Sequence, residues 1–245
     1  MAKRLRIFAG PNGSGKTSLK KILEDKKLIH LYKYFNADDL LKEISEVGYY
    51  KLYKGESFED LKNFAAASTY KSDVKKPFAN GSITSKGRKL FFAADACNSY
   101  TVSLLVSFRC EILLELGESL SLETVFSSKE KLSLIESAKK RGYKVYIYCI
   151  ATEDPDINKG RIATRVADGG HNVSVDKIFS RYSKSLQNVA SALSITDRAF
   201  FWDNTTEETK FIASYDKDAS KLDVKVLPSE TPKWFTKHIL DYLVK

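Results

Sequence analysis

Apolar residues along this chain follow two spacings, and the two spacings alternate. Residues 5–9 form a short apolar run typical of a buried strand, and Leu19, Ile22 and Leu23 behind it recur at helical spacing. Similar strands are predicted at 31–35, 119–126, 143–150 and 197–202, with helices between them and at the C-terminus. This alternation predicts an α/β fold, in which a mostly parallel sheet carries helices on both faces.

The segment at about 48–98 interrupts this regularity. Its apolar spacing is loose, and it is rich in cations: Lys71, Lys75, Lys76, Lys86, Arg88 and Lys89. Such a run is either a solvated face or a substrate-facing insertion. We therefore predict one domain over 1–245, with a basic insertion at 48–98 and a C-terminal hairpin and helix at 204–245. The turn residues in 152–172 predict a loop there.

Composition narrows the classes of protein to which the chain can belong. A hydrophobic content of 43% supports a folded core, and the formal net charge of +9 favours anionic partners, either nucleic acid or phosphorylated small molecules. Cys97, Cys110 and Cys149 are scattered and form no zinc pattern. We find no apolar run of membrane-spanning length, no signal peptide and no lipidation pattern, so we expect a cytoplasmic protein without a membrane partner.

The strongest motif lies between the first predicted strand and helix. It reads Gly10-Pro11-Asn12-Gly13-Ser14-Gly15-Lys16-Thr17 and matches the P-loop pattern G-x-x-x-x-G-K-[ST] in the required strand–loop–helix context. Backbone N–H groups of such a loop surround an anion, the lysine reaches the β- and γ-phosphates, and the Thr17 hydroxyl ligates Mg²⁺. The motif predicts a three-layer fold of the P-loop NTPase type. The predicted nucleotide-binding set is Gly10, Pro11, Asn12, Gly13, Ser14, Gly15, Lys16, Thr17 and Ser18.

Other polar residues follow predicted strands. Asp38 comes after one strand, Glu123 and Thr124 lie near the end of another, and Arg161 and Arg165 lie in the turn-rich segment. A carboxylate that accepts a hydroxyl proton and arginines that stabilise phosphoryl oxygens suit phosphoryl transfer to a hydroxyl. Motifs of motor ATPases, ABC proteins and GTPases are absent from the sequence.

Each of these residues also has a structural interpretation. Asn36 or Asp38 can act simply as a helix cap, and Glu123 can pair with a lysine or arginine. The two arginines can pair with Asp154 or Asp168, since a spacing of four residues puts both arginines on one helix face.

Taken together, the motifs resemble the zeta toxin family and related zeta-like P-loop kinases. Besides the Gly10–Thr17 loop, the resemblance rests on Phe35-Asn36-Ala37-Asp38, Glu123-Thr124-Val125-Phe126-Ser127, Arg161-x-x-x-Arg165-Val166-x-x-Gly169-Gly170-His171, Arg181-Tyr182 and Asp203-Asn204. These motifs occur in order and extend from residue 5 to about 205, with only the 48–98 segment unmatched.

The resemblance implies an ATP- and Mg²⁺-dependent kinase that phosphorylates the sugar 3′-hydroxyl of UDP-N-acetylglucosamine. In that case Asp38 is the general base and Lys16 contacts the phosphates. Glu123 and Thr124 hold the sugar, Arg161 and Arg165 cover the phosphates, and Arg181 approaches from the next helix. Some relatives are blocked by an antitoxin protein, which is therefore an expected partner.

Two alternatives stay open at this point. A polynucleotide 5′-hydroxyl kinase suits the positive charge and the basic segment. A non-catalytic ATP-binding regulatory module has the same P-loop without the transfer chemistry.

Overall fold

The computed structural model describes residues 2–169 and 172–243. In chain order the strands are β1 (Arg4–Ala9), β2 (Lys33–Asn36), β3 (Tyr50–Lys51), β4 (Ile83–Lys86), β5 (Lys89–Phe92), β6 (Leu120–Thr124), β7 (Lys144–Ala151), β8 (Arg198–Asp203), β9 (Lys210–Asp216) and β10 (Lys221–Val224). The longer helices are α1 (Lys16–Asp25), α2 (Ala37–Val47), α3 (Phe58–Ala67), α4 (Ser72–Ala79), α5 (Ser99–Glu115), α6 (Glu130–Lys140), α7 (Pro155–Ala167) and α8 (Val175–Ala192).

The C-terminal part is a chain of short helical segments. Lys233–Phe235 and Asp241–Leu243 are single α-helical turns, and Thr236–Leu240 between them is π-helical. No helix in the described ranges is long and apolar enough to cross a membrane.

The chain divides into two compact units. The larger consists of Met1–Tyr34 and Ser119–Lys245, and the smaller of Phe35–Glu118. The prediction of a single domain with an insertion at 48–98 remains a prediction, and the smaller unit includes that segment and continues beyond both of its ends.

A seven-stranded sheet in the order β10-β9-β8-β7-β1-β6-β2 organises the larger unit. β1 pairs in parallel with β6 and β7, and β7 pairs in parallel with β8. β9 and β10 follow as an antiparallel hairpin at one edge. The predicted α/β fold with a mostly parallel sheet is therefore confirmed.

Alternation along the strands directs side chains to both faces of this sheet. Phe8 of β1 packs with Leu19 and Leu23 of α1 on one face. Phe201 of β8 is fully buried and contacts the Phe235 ring of the C-terminal segment, with ring centroids 5.1 Å apart. Because the parallel strands end at one edge, the loops that follow β1, β6, β7 and β8 are brought together there.

The smaller unit contains the segment 48–98, in which the spacing of apolar residues is loose. It contains an antiparallel sheet in the order β3-β5-β4, and α2 to α5 pack around a core that includes Leu61, Phe78 and Phe108. Its strands are two to four residues long, which is too short for a period of two to be recognised.

One part of the sequence interpretation is wrong: much of 152–172 is helical. α7 begins directly after Asp154, whose carboxylate accepts the N–H of Asp156, and Pro155 occupies the first helical position. Both are start signals for a helix, since proline lacks the N–H that would be unpaired there. Arg161 and Arg165 therefore lie on a helix, not in a loop.

A buried ion pair connects the loop before α3 to α5 in the smaller unit. Arg109 donates from Nε to Glu56 Oε1 at 2.8 Å, and the side chains are 9% and 1% exposed. The Tyr50 hydroxyl and the Tyr53 N–H also donate to the Glu56 carboxylate. Burial raises the pKa of Tyr50 well above its ordinary value, so the hydroxyl remains a donor.

We predict that Arg109→Gln lowers the free energy of unfolding by about 3–5 kcal/mol, because the Glu56 carboxylate stays buried without its cation. The control is Lys62→Gln, which removes an exposed pair with Glu59 and should cost at most about 1 kcal/mol. Chemical denaturation measures both values. If the two variants lose equal free energy of unfolding, the result would contradict the larger contribution assigned to the buried ion pair.

Candidate functional site

The loop between β1 and α1 lies against the carboxyl end of β7. Its close packing is possible because glycines occupy the points of contact. A Cβ on Gly10 would lie 2.0 Å from the Ile150 carbonyl oxygen, a distance that no packing adjustment of a side chain can relieve. Gly15, at φ +98°, is the N-cap residue of α1, and a Cβ there would lie 2.4 Å from Asn204 Nδ2. The loop conformation therefore requires glycine at both positions.

Several polar atoms around this loop are buried without a hydrogen-bond partner among the described residues. They are Asn12 Oδ1, Ser14 Oγ, Asn158 Nδ2 and Arg161 Nη1. Asn158 lies beside this loop, because its backbone carbonyl oxygen would lie 2.7 Å from a Cβ on Gly13. A buried polar atom without a partner costs about 1–3 kcal/mol, so this concentration of donors and acceptors fits a polar ligand.

Lys16 opens α1 with its ammonium turned back over its own loop. Its Nζ donates to the Pro11 carbonyl at 2.9 Å. Cys149 lies nearby in the core, where burial raises the pKa of its thiol to about 12, an effect that the Lys16 ammonium partly opposes. The thiol is therefore protonated at neutral pH, as expected for a cysteine that belongs to the core.

Thr17, Glu123 and Tyr34 form a connected hydrogen-bond chain beside the loop. The Thr17 hydroxyl donates to Glu123 Oε1 at 2.9 Å, and the Tyr34 hydroxyl donates to Glu123 Oε2 at 2.6 Å. The carboxylate reaches Thr17 because Glu123 pairs in register with Phe8 on the neighbouring parallel strand, near the end of β1. A hydroxyl and a carboxylate oxygen are ligands that Mg²⁺ prefers, and a magnesium–nucleotide site needs only one or two from the protein.

Asn204 supports the loop from just after β8; the sequence motif Asp203-Asn204 included this residue but assigned it no role. Its Nδ2 donates to the Ser14 carbonyl at 2.9 Å, and its Oδ1 accepts from the Thr209 hydroxyl at 2.8 Å. Its own N–H is bound by the Ala151 carbonyl. The sequence offers two signals for this position, the Asp203-Asn204 motif of the resemblance and an asparagine directly after a strand that ends at the ligand-binding edge.

Asn158 is a residue that the sequence analysis did not indicate. It lies on α7, is fully buried, and accepts from the Thr152 hydroxyl at 2.7 Å. The mistaken interpretation of 152–172 as loop hid it, because its burial follows from the helix.

The three arginines proposed from the sequence differ in their surroundings. Arg161, near the loop with Asn158, donates from Nη2 to the Thr206 carbonyl at 3.2 Å. Arg165 lies one turn later on α7 and is exposed, and Arg181 is half-buried on α8. Gly170 and His171, which belong to the same sequence motif, lie outside the described residues.

Asp38 lies in the smaller unit, in the first turn of α2. The helix cap is Asn36, whose Oδ1 accepts the Asp38 N–H at 3.0 Å. The Asp38 carboxylate is exposed and has no hydrogen-bond or ion-pair partner within the described part of the chain. Capping therefore accounts for Asn36 and leaves the Asp38 carboxylate available for another role.

The remaining predicted residues take ordinary positions. The Thr124 hydroxyl accepts the Phe126 N–H at 3.2 Å, and Ser18 is exposed in the first turn of α1. In the basic 48–98 segment, Lys75 and Arg88 donate to backbone carbonyls. The Lys89 ammonium lies 3.9 Å from the Tyr49 ring centroid. Half of the six cations noted there thus have local structural contacts.

Comparison with known proteins supports the fold. No family model and no curated protein matches the chain. Among solved structures, a chain of the AvrRxo1-ORF1:-ORF2 complex with ATP is 14% identical, with a TM-score of 0.55 over 97% of this chain. A chain from the PezAT chromosomal toxin–antitoxin system of Streptococcus pneumoniae is 12% identical, with a TM-score of 0.51 over 98% of this chain and 79% of that chain.

At these identities the similarity establishes the fold. The chain spans 63% of the length of the AvrRxo1 chain. The resemblance to zeta-like P-loop kinases is thus supported as a resemblance of fold.

We predict that Gly10→Ala lowers the free energy of unfolding by at least about 1–3 kcal/mol, because the new methyl group meets a backbone oxygen that cannot rotate away. Gly160→Ala is the control: it lies in α7 with open space around the added carbon and should stabilise by about 0.5–1 kcal/mol. Thermal and chemical denaturation compare the two. A Gly10 variant as stable as the unaltered protein would contradict the close approach.

Proposed function

We propose that this chain is a kinase that transfers the γ-phosphoryl group of ATP to a hydroxyl of a small molecule, a nucleotide sugar such as UDP-N-acetylglucosamine. The observation that carries the proposal is the Gly10–Thr17 loop, with its buried unpartnered polar atoms and the adjoining Thr17–Glu123 pair. The similar AvrRxo1-ORF1:-ORF2 complex was crystallised with ATP, which supports the choice of nucleotide.

ATP binding in this proposal uses groups that are already arranged. The loop N–H groups and the start of α1 face the phosphates, and the Lys16 ammonium moves from the Pro11 carbonyl to the phosphate oxygens. Arg161 and Arg165 stabilise the charge on the transferred group. Asn158 and Asn204 keep the loop in place from α7 and β8.

Thr17 and Glu123 would hold Mg²⁺, which neutralises charge on the β- and γ-phosphate oxygens when it is bound. The contacts of Glu123 with Thr17 and Tyr34 support this role more directly than the sugar contact that the family resemblance implies. Thr124 and Arg181 remain the proposed substrate residues.

Asp38 is the proposed general base. Its carboxylate accepts the proton of the substrate hydroxyl, the hydroxyl oxygen forms a bond to the γ-phosphorus, and the bond to the β-phosphate oxygen breaks to release ADP. The exposure of the carboxylate and its freedom from the capping role support the assignment.

A protein partner is part of the proposal. The PezAT neighbour comes from a toxin–antitoxin system, which supports a search for an inhibitory antitoxin of this chain. Co-purification of the chain with proteins encoded beside it would identify such a partner.

We predict that Asp38→Asn lowers the rate of phosphoryl transfer by about 10²–10⁴-fold, because the amide cannot accept the hydroxyl proton. ATP affinity should be unchanged. Labelled-ATP transfer to a panel of UDP-sugars and short oligonucleotides measures the rate, and Asp39→Asn is the control on the same helix turn.

If the unaltered protein transfers phosphate to none of the acceptors, the result would contradict the kinase proposal and support the non-catalytic ATP-binding module. Transfer to oligonucleotides alone would instead support the polynucleotide kinase alternative. Full activity of Asp38→Asn would remove Asp38 from the mechanism.

We also predict that Glu123→Gln raises the Mg²⁺ concentration needed for half-maximal activity by about 10–100-fold, since a neutral amide holds the metal weakly. The exposed Glu136→Gln on α6 is the control. A metal titration at saturating ATP makes the measurement. A change confined to the KM of the acceptor would support the sugar-binding role and contradict the metal role.

A further inference from the structure

A surface cleft of about 650 Å³ in the larger unit lies away from the Gly10–Thr17 loop. It is found at the opposite end of both elements that flank the loop, where β1 begins and α1 ends. Its lining residues are Arg4, Arg6, Glu24, Lys27, Leu28, Ile29, His30, Leu31, Tyr32 and Tyr146.

The cleft concentrates positive charge that the protein does not neutralise. Arg4 and Arg6 project from the same face of β1, and Lys27 follows the end of α1. Within the described ranges, none of these three cations has a carboxylate at ion-pair distance, although Glu24 also lines the cleft. By contrast, the exposed Arg198 pairs with Asp216 at 2.9 Å.

Neutral groups hold the two guanidinium groups in fixed positions. Arg4 Nη1 donates to the Tyr32 hydroxyl at 2.9 Å. Arg6 donates from Nε to the His30 carbonyl at 3.0 Å and from Nη1 to the Tyr148 hydroxyl at 2.7 Å. Because these partners leave the positive charge uncompensated, the arginines are oriented in advance for an anion.

Aromatic rings form the walls around these arginines. The guanidinium carbon of Arg6 lies 5.6 Å from the Tyr32 ring centroid and 5.2 Å from that of Tyr146. Tyr32 has φ +57°, a left-handed conformation that is rare for a bulky residue, and His30 packs against its ring edge-to-face. The fold thus holds Tyr32 in a costly conformation at the wall of the cleft.

We propose that this cleft binds a nucleoside monophosphate, with the phosphate on Arg4, Arg6 and Lys27 and the base against Tyr32 and Tyr146. A phosphate oxygen pair matches the guanidinium fork, and the ring of a base stacks on tyrosine. The volume lies within the range of small-molecule sites. The site is separate from the Gly10–Thr17 loop and does not depend on the proposed kinase activity.

Isothermal titration calorimetry tests the proposal on the full chain saturated with Mg²⁺ and a non-hydrolysable ATP analogue, which occupies the loop. UMP, AMP and inorganic phosphate are the probes. We expect one further site for a nucleoside monophosphate, weakened about tenfold or more by Arg4→Gln and by Lys27→Gln, since each loses a charge-assisted hydrogen bond. Lys26→Gln, an exposed neighbour outside the cleft, is the matched control and should bind normally.

Lys27 is exposed, so its variant carries the test even if Arg4→Gln fails to fold. If the Lys27→Gln and Arg4→Gln variants bind the nucleoside monophosphate with unchanged affinity, the binding belongs to the acceptor site of the proposed kinase and not to the cleft. That result overturns the proposal. Absence of any further site overturns it as well. Inorganic phosphate that binds as tightly as UMP and AMP would overturn the role of the tyrosine rings.

Discussion

The close approach of the Gly10 backbone to the Ile150 carbonyl is the contact on which the candidate site depends. It lets the chain turn sharply at the end of β1 and lie directly against β7. The start of α1 is then brought beside the end of β6, where Thr17 meets Glu123. It also brings the loop within reach of α7 and of Asn204, the residue that follows β8. One missing side chain thus determines where four other elements can contribute to the site.

The parallel sheet and the loop could be predicted because both are encoded by nearby residues. The apolar run of β1, the glycines and the apolar face of α1 follow one another within 25 positions. The contacts that support the loop are different in kind. Asn204 and Ser14 are 190 positions apart, and no local pattern reveals that pairing. It follows only from strand order, which puts β8 two places from β1.

The parts that were missed or misread share a physical cause. Strands of two to four residues in the smaller unit are stabilised by their packing against α5, not by their own pattern. In α7, the glycine and most of the charged residues that suggested a loop are exposed, and the buried face is confined to Asn158 and Ile162. The role of a residue such as Glu123 was open for another reason, since a carboxylate at a strand end serves metal, substrate or structure according to its neighbours.

The resting position of the Lys16 ammonium has a consequence for the speed of ligand capture. The ammonium is bound to the neutral Pro11 carbonyl within the same loop, while the loop backbone is already supported by Asn204. In the proposed function, the Lys16 ammonium exchanges the Pro11 carbonyl for a phosphate oxygen by side-chain rotation, while the loop backbone keeps its support. Rotamer changes of accessible side chains take picoseconds to nanoseconds, whereas loop motions extend to microseconds. For the nucleotide proposed above, diffusion and not rearrangement of the loop would then limit the rate of binding.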